Sequence, residues 1–340
     1  MNRFTRYGRP ATVLTLLVAS LLPVRLNAQG LDLDAARKEG KVVVYAAIPP
    51  QLMKPINDAF EKQYGVRVDY WRASTTGILD RALNEWRAGQ AGYDVVEGNN
   101  GPQLILKNEG VFVKFAPPSA VKFPKQFLEP DALLTPWRFN PISILYNTEL
   151  VKKEEAPKSL AALLLPKWKG KIAMPDPSRH TTTAEFLGNL GKYEGVNWRE
   201  FAAALAQQQP LFVESFAPIV NTVLRGEAPL GLAYLKYVIQ FKGPLDYVRL
   251  DKYLADTNYL GVNRKAPHPN AAKLYVEFLC SPEGQKAVAE TGEFVLSPGI
   301  APAVPGAEQV AQRSQFMDEP SAEEFKKLQS EFHQLFFAGK

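Results

Sequence analysis

The chain has 340 residues, 46% hydrophobic and 11% aromatic, enough apolar surface for two cores of ordinary domain size, which excludes a disordered chain. Its net charge of +5 includes Arg3, Arg6, Arg9 and Arg25 from an acid-free stretch at 1–28, so the remainder sets 36 basic against 35 acidic residues. That balance, with no basic stripe interleaved with aromatics, excludes nucleic acid as the expected partner.

The first 28 residues read as a signal peptide. Three arginines precede an apolar run from Ala11 to Leu22 that is too short to span a bilayer, and Leu26-Asn27-Ala28 ends in a small residue suited to cleavage. Beyond it, Leu33 to Glu39 predicts a short helix ending at Gly40, and Lys41 to Ala47 a β-branched strand of the kind buried in a parallel sheet. A helix over Leu52 to Gln63, a strand over Val66 to Trp71, a helix over Ile78 to Arg87 and a strand over Asp94 to Val96 follow. Strands alternating with helices predict βαβ units and a mostly parallel sheet.

A Pro-rich passage from Ala116 to Pro141 separates this cycle from a second one. There the pattern predicts an apolar run after Pro141 ending at Tyr146-Asn147-Thr148, a strand at Lys171 to Met174, and helices at Thr183 to Tyr193 and Trp198 to Gln208. Leu211 to Val213 reads as a strand, Ile219 to Arg225 as a helix, and Leu230 to Tyr234 and Tyr247 to Leu250 as strands. Tyr259 to Val262 reads as a return crossing, and Pro269 to Leu279, Glu283 to Glu290 and Ser321 to Phe337 as helices. Cys280, the one cysteine, can form no intrachain disulfide and reads as a buried thiol.

Parallel sheets bind ligands beyond the carboxyl ends of their strands, which selects the loops at 46–51, 72–77 and 97–101. Arg72 with Ser74, Thr75 and Thr76, and Arg179 with His180, Thr181, Thr182 and Thr183, are two hydroxyl-rich helix starts, each beside an arginine. Backbone N–H groups at a helix start lack internal partners and carry partial positive charge, so both suit an anion. Simple capping needs no ligand, however, and Thr182 followed by Glu185 fits a capping box. Asn99, Asn100 and Ser215 occupy comparable turns, and Tyr234, Lys236 and Tyr237 follow the strand at 230–234. His268, between two prolines, reads as an exposed turn residue, and His333 as structural. No P-loop, Gly-x-Ser-x-Gly, His-Glu-x-x-His or metal-ligand spacing is present, so neither an enzyme nor a cofactor is expected.

Tyr45 with Val43-Val44, Tyr146-Asn147-Thr148 with Pro157-Lys158-Ser159, the run Pro166 to Lys171, Gly226-Glu227, and Phe278-Leu279 to Gly284-Gln285 together resemble periplasmic solute-binding proteins of ABC transporters. The likeness is to the branch of ferric-iron, thiamine, aminoethylphosphonate and polyamine binders, within the family 1-like extracellular solute-binding proteins. It implies an α/β, two-lobed periplasmic-binding-protein fold of type II kind, with two crossing segments as hinge and a ligand cleft between lobes. It also implies periplasmic localisation and an inner-membrane ABC permease as partner. The ferric-binding members use a histidine in the first loop, a glutamate after the third strand and two adjacent tyrosines. In this sequence the first loop, Ala46 to Pro50, has no histidine, the third offers Glu97 or Asn99, and the tyrosine pair has become Lys236-Tyr237. A lysine there favours a negatively charged organic ligand over ferric iron, although Tyr45, Tyr146, Tyr234 and Tyr237 leave a tyrosine iron site open.

The expectation is thus an exported monomer with one lobe at 29–136 plus about 260–305 and the other at about 141–256 plus 306–340. It would capture a small organic anion; a sensor role for the same cleft is the alternative that residues cannot separate.

Overall fold

The computed structural model of the protein describes residues 31–338 apart from Glu194 and Glu319; the expected signal peptide at 1–28 lies outside the described residues. The first half runs α1 (Leu33–Glu39), β1 (Lys41–Ala46), α2 (Pro50–Tyr64), β2 (Arg67–Arg72), α3 (Thr75–Arg87), β3 (Val95–Asn99) and α4 (Asn100–Asn108). A long strand, β4 (Thr135–Asn147), leads into β5 (Ile172–Pro175), α5 (Thr181–Gly188), α6 (Trp198–Gln207), β6 (Leu211–Val213), α7 (Phe216–Leu224), β7 (Leu230–Tyr234), α8 (Tyr237–Gln240) and β8 (Leu245–Tyr247). A second long strand, β9 (Tyr253–Val262), precedes α9 (Pro269–Cys280), α10 (Pro282–Glu290), β10 (Phe294–Val295), α11 (Ala307–Arg313), β11 (Ser314–Phe316) and α12 (Ala322–Phe337).

The strands form one curled sheet in the order β2-β1-β3-β9-β4-β7-β5-β6. Each half is parallel, β2-β1-β3 on one side and β7-β5-β6 on the other, and the two are joined through antiparallel β9 and β4. The register explains where a ligand can sit. Along β9, β3 runs from Val95 opposite Val262 to Asn99 opposite Asn258, while along β4, β7 runs from Leu230 opposite Tyr146 to Tyr234 opposite Ile142. β4 and β9 themselves are paired as far as Pro141 opposite Ala255. The carboxyl ends of both parallel sets therefore meet at the middle of the crossing strands, arriving from opposite directions. This is a mixed α/β, two-lobed architecture in which loops from either lobe face one another.

All thirteen residues of β4 are buried, including Pro136 and Pro141. Pro136 sits where the ladder to β9 shifts register and Pro141 at its last pair, positions at which a missing N–H is tolerated. The prolines hid the first half of this strand from sequence reading, which began it after Pro141. Other boundaries also moved. α4 begins within the loop expected at 97–101 and runs past it, although its first residues, Asn100, Gly101 and Pro102, are poor helix formers. α5 starts earlier than expected, with His180 rather than Thr182 as its N-cap, so the Thr182–Glu185 capping box does not form. β8 lies at 245–247 instead of 247–250, and α8, β10, α11 and β11 had no strong pattern. Cys280 is buried as expected. His268 is not an exposed turn residue: it is half-buried with Nδ1 2.9 Å from the buried Asp94 carboxylate, at the start of α9.

Candidate functional site

Where the two sets of strands converge lies a cavity of about 500 Å³. Arg72, Thr75, Asn99 to Pro102 and Tyr259 line it from one lobe, and Arg179 to Thr182, Glu185, Ser215 to Ala217, Tyr234 and Tyr237 from the other. Ala255, Asp256 and Thr257 of β9 form part of the wall, together with Phe316 and Met317.

Four helices begin at this wall: α3 and α4 from one lobe, α5 and α7 from the other. They are not capped alike. Ser74 accepts from the Gly77 N–H at 3.2 Å, which closes part of the start of α3, and Ser74 itself is not on the wall. His180 Nδ1 accepts from the Thr183 N–H at 3.2 Å and lies 2.9 Å from the Thr183 hydroxyl, and Thr183, expected at the site, is fully buried and off the wall. α4 and α7 differ, because the side chains of their N-cap residues, Asn99 and Ser215, make no capping bond. First-turn N–H groups of a helix have no intrahelical partner, so these two starts present bare donors to whatever fills the space.

His180 is the best defined donor on the wall. With Nδ1 accepting from the backbone, the ring proton resides on Nε2, and burial pushes the imidazole down to about 4, so it is neutral near pH 7. Its ring packs edge-on against Phe216, which in turn meets Tyr234 at 4.7 Å between centroids. Arg72 Nε donates to the Ala47 carbonyl at 3.3 Å, and Arg179 lies 3.7 Å from Asp176, with its side chain largely exposed. Both guanidinium groups sit at the rim with donors to spare.

Asp256 went unnoticed in the sequence. It is 6% exposed, on the crossing strand β9, and its Oδ2 accepts from the Tyr234 phenol at 2.6 Å and from Asn99 Nδ2 at 3.4 Å. One bond comes from each lobe. Burial pushes its carboxyl up to about 6, and burial with the neighbouring carboxylate holds the Tyr234 phenol well above its ordinary range.

Several expected residues lie elsewhere. Lys236 is half-buried beside the aromatic pair, with Nζ 2.8 Å from Glu293 and 5.2 Å and 5.9 Å from the ring centroids of Tyr234 and Tyr237. Glu293 also pairs with Arg138 on β4, which reaches Glu97 at 2.7 Å, so Glu97 faces the crossing strands and Asn99 faces the cavity. Thr76 follows Thr75 in the first turn of α3. The tyrosine set is split. Tyr45 donates to Glu85 at 2.9 Å on the sheet face beneath α3, and Tyr146 to Asp246 at 3.0 Å at the far end of β4. Only Tyr234 and Tyr237 of the four reach the cavity. Among the described residues, no group of three or more His, Cys, Asp or Glu side chains could hold a metal ion, and no helix is long and apolar enough to cross a membrane.

Comparison with known proteins gives a consistent result. Residues 42–292 match the model of the bacterial extracellular solute-binding protein family. The chain is 22% identical over 315 residues to the Fe(3+)-binding periplasmic protein of Serratia marcescens, covering 85% of this chain and 89% of that one. Its fold resembles the crystal structure of the substrate-binding protein of an ABC transporter from Agrobacterium tumefaciens, with a TM-score of 0.75 at 19% identity over 87% of this chain and 95% of the other. It also resembles the periplasmic binding protein AfuA from Actinobacillus pleuropneumoniae with fructose-6-phosphate bound, with a TM-score of 0.66 at 20% identity over 87% and 96% of the two chains. The chain therefore belongs to the bacterial extracellular solute-binding proteins.

Proposed function

We propose that this protein captures a small organic anion in the cavity between its lobes and hands it to an ABC permease. The observation that carries the reading is the convergence of four helix starts, two of them without a side-chain cap, on one space from opposite lobes. Each such terminus contributes about 0.3–1 kcal/mol when exposed and up to ~2 kcal/mol when partly buried. Micromolar binding needs about 8 kcal/mol, so several must act together with Arg72, Arg179 and His180 in a space from which water is expelled. Closure of the lobes about β4 and β9 supplies that exclusion. Ligand contacts are assigned to Arg72, Thr75, Asn99, Asn100, Arg179, His180, Thr181, Thr182, Ser215 and Tyr237.

The lobes are assigned as expected, 29–136 with about 260–305 and about 141–256 with 306–340, acting as a monomer in the periplasm. The packing of α9 on α1 and of α12 on α5 and α6 supports this division. Ferric iron is the weaker candidate: Tyr234 and Tyr237 both reach the cavity, but burial raises both phenols, which opposes the phenolate a hard cation requires. A thermal-shift screen of the protein lacking residues 1–28 against phosphate esters, phosphonates, carboxylates, ferric citrate, thiamine and polyamines tests the reading. Stabilisation by organic anions alone is expected. A shift with ferric citrate accompanied by a visible tyrosinate charge-transfer band, or a shift confined to the cations, overturns it.

A further inference from the structure

We propose that Asp256 makes the cavity selective for an anion that carries its own hydrogen-bond donor, a hydroxyl or ammonium group, over an anion of equal charge that has none. The inference rests on the anion-capture reading and adds the substrate class.

Asp256 is the carboxylate that the crossing strand β9 presents to the cavity. Its neighbours on the wall are mostly donors: Arg72, Arg179, His180 Nε2–H and the starts of α4 and α7. An ionised carboxylate offers about four acceptor positions. Oδ2 uses two of its positions, on Tyr234 and Asn99, whereas Oδ1 accepts from none of the described residues although the side chain is more than nine-tenths buried. Oδ1 is not sealed from solvent: it opens onto the cavity, where a donor on the ligand can take the place of water. An anion without donors brings none and adds like-charge repulsion at short range. A hydroxylated or aminated anion can place its acid group among the helix starts and turn a donor toward Oδ1. The rings of Phe216, Tyr234 and Tyr237 then flank the rest of the ligand, a setting that suits an ammonium group or the C–H face of a polyol. Glu185 also lines the cavity, on α5, but it is held by other contacts of its own.

Isothermal titration at pH 7.5 with matched probes tests this. Glycerol 3-phosphate is compared with propyl phosphate, and phosphoethanolamine with ethyl phosphate, for the natural chain and for Asp256→Leu and Asp256→Asn. The natural chain should bind at least one donor-bearing probe about tenfold or more tighter than its partner. Asp256→Leu should reduce that preference to within about twofold by weakening the donor-bearing probe while leaving its partner unchanged or tighter, an asymmetry that a purely structural role would not produce. Equal binding of both members of each pair by the natural chain overturns the inference and leaves anion capture standing, whichever variants fold. Equal weakening of both members in each variant also overturns it. Binding of none of the four probes at millimolar concentration sinks the inference together with the reading beneath it.

Discussion

Ser74 and Ser215 hold the same position at the start of a helix and look interchangeable in the sequence, yet one is committed to its helix and the other is not. Ser74 closes the first turn of α3 onto Gly77, whereas Ser215 makes no capping bond and turns toward the cavity. Ser74→Ala should therefore cost about 1 kcal/mol of stability, as loss of a cap does. Its effect on affinity for the anion found by screening should stay within about twofold. Ser215→Ala should do the reverse, changing stability by less than about 0.5 kcal/mol while weakening the anion about tenfold, the value of a hydrogen bond to a charged group. Urea titration and calorimetry on both variants separate the two effects, and matching behaviour would remove Ser215 from the site. The hydroxyl-rich turns were legible because Ser and Thr favour helix starts and here run together beside an arginine. Asp256 was not, since Tyr253 to Val262 mixes polar and apolar residues and nothing local marks which polar side chain a crossing strand will turn into a cavity.

Among elements, the corner between α9 and α10 shows how a short sequence passage becomes a constraint. A Cβ on Gly284 would stand 1.9 Å from the Phe278 carbonyl oxygen, backbone that cannot swing aside. Next to it, Gln285 is fully buried and makes four bonds, donating to Trp137 and Leu279 carbonyls and accepting from the N–H groups of Leu296 and Ser297. The pair ties the corner to β4, where Trp137 lies, and so to the crossing region. Gly284→Ala should destabilise by about 1–3 kcal/mol or more through overpacking, read as a lowered urea midpoint; a change under about 0.5 kcal/mol would mean the corner is looser than the packing indicates. Elements with a clear apolar period, such as α2 and α12, were legible within a few residues. β4 and α4 were not, because prolines and a glycine that normally end an element here fall at a ladder shift and at a helix start.

At the scale of the whole molecule, the alternation of strands and helices made the two-lobed class legible, while the meeting of the lobes depends on a register that no local pattern encodes. That meeting also brings two abnormal acids onto one wall. Asp256 is raised from 3.8 to about 6, so it contributes stability that is fully present below pH 3.8 and is lost as pH rises through 6. His180 is lowered from 6.5 to about 4, so it contributes stability present above pH 6.5 and lost as pH falls through 4. Between about pH 4 and 6 folding takes up a proton at Asp256 and releases one at His180, and the two slopes, each at most about 1.4 kcal/mol per pH unit, oppose one another. Removing either group should expose the other. Relative to the natural chain, Asp256→Asn should lose stability as pH falls from 6 to 4, and His180→Asn, which keeps an oxygen able to cap α5, should gain stability over the same interval. Urea unfolding at half-unit pH steps measures both differences. Two curves that run parallel to the natural chain would show that neither group titrates abnormally on folding, and the cavity would then lack the dry, opposed wall on which capture of an anion depends.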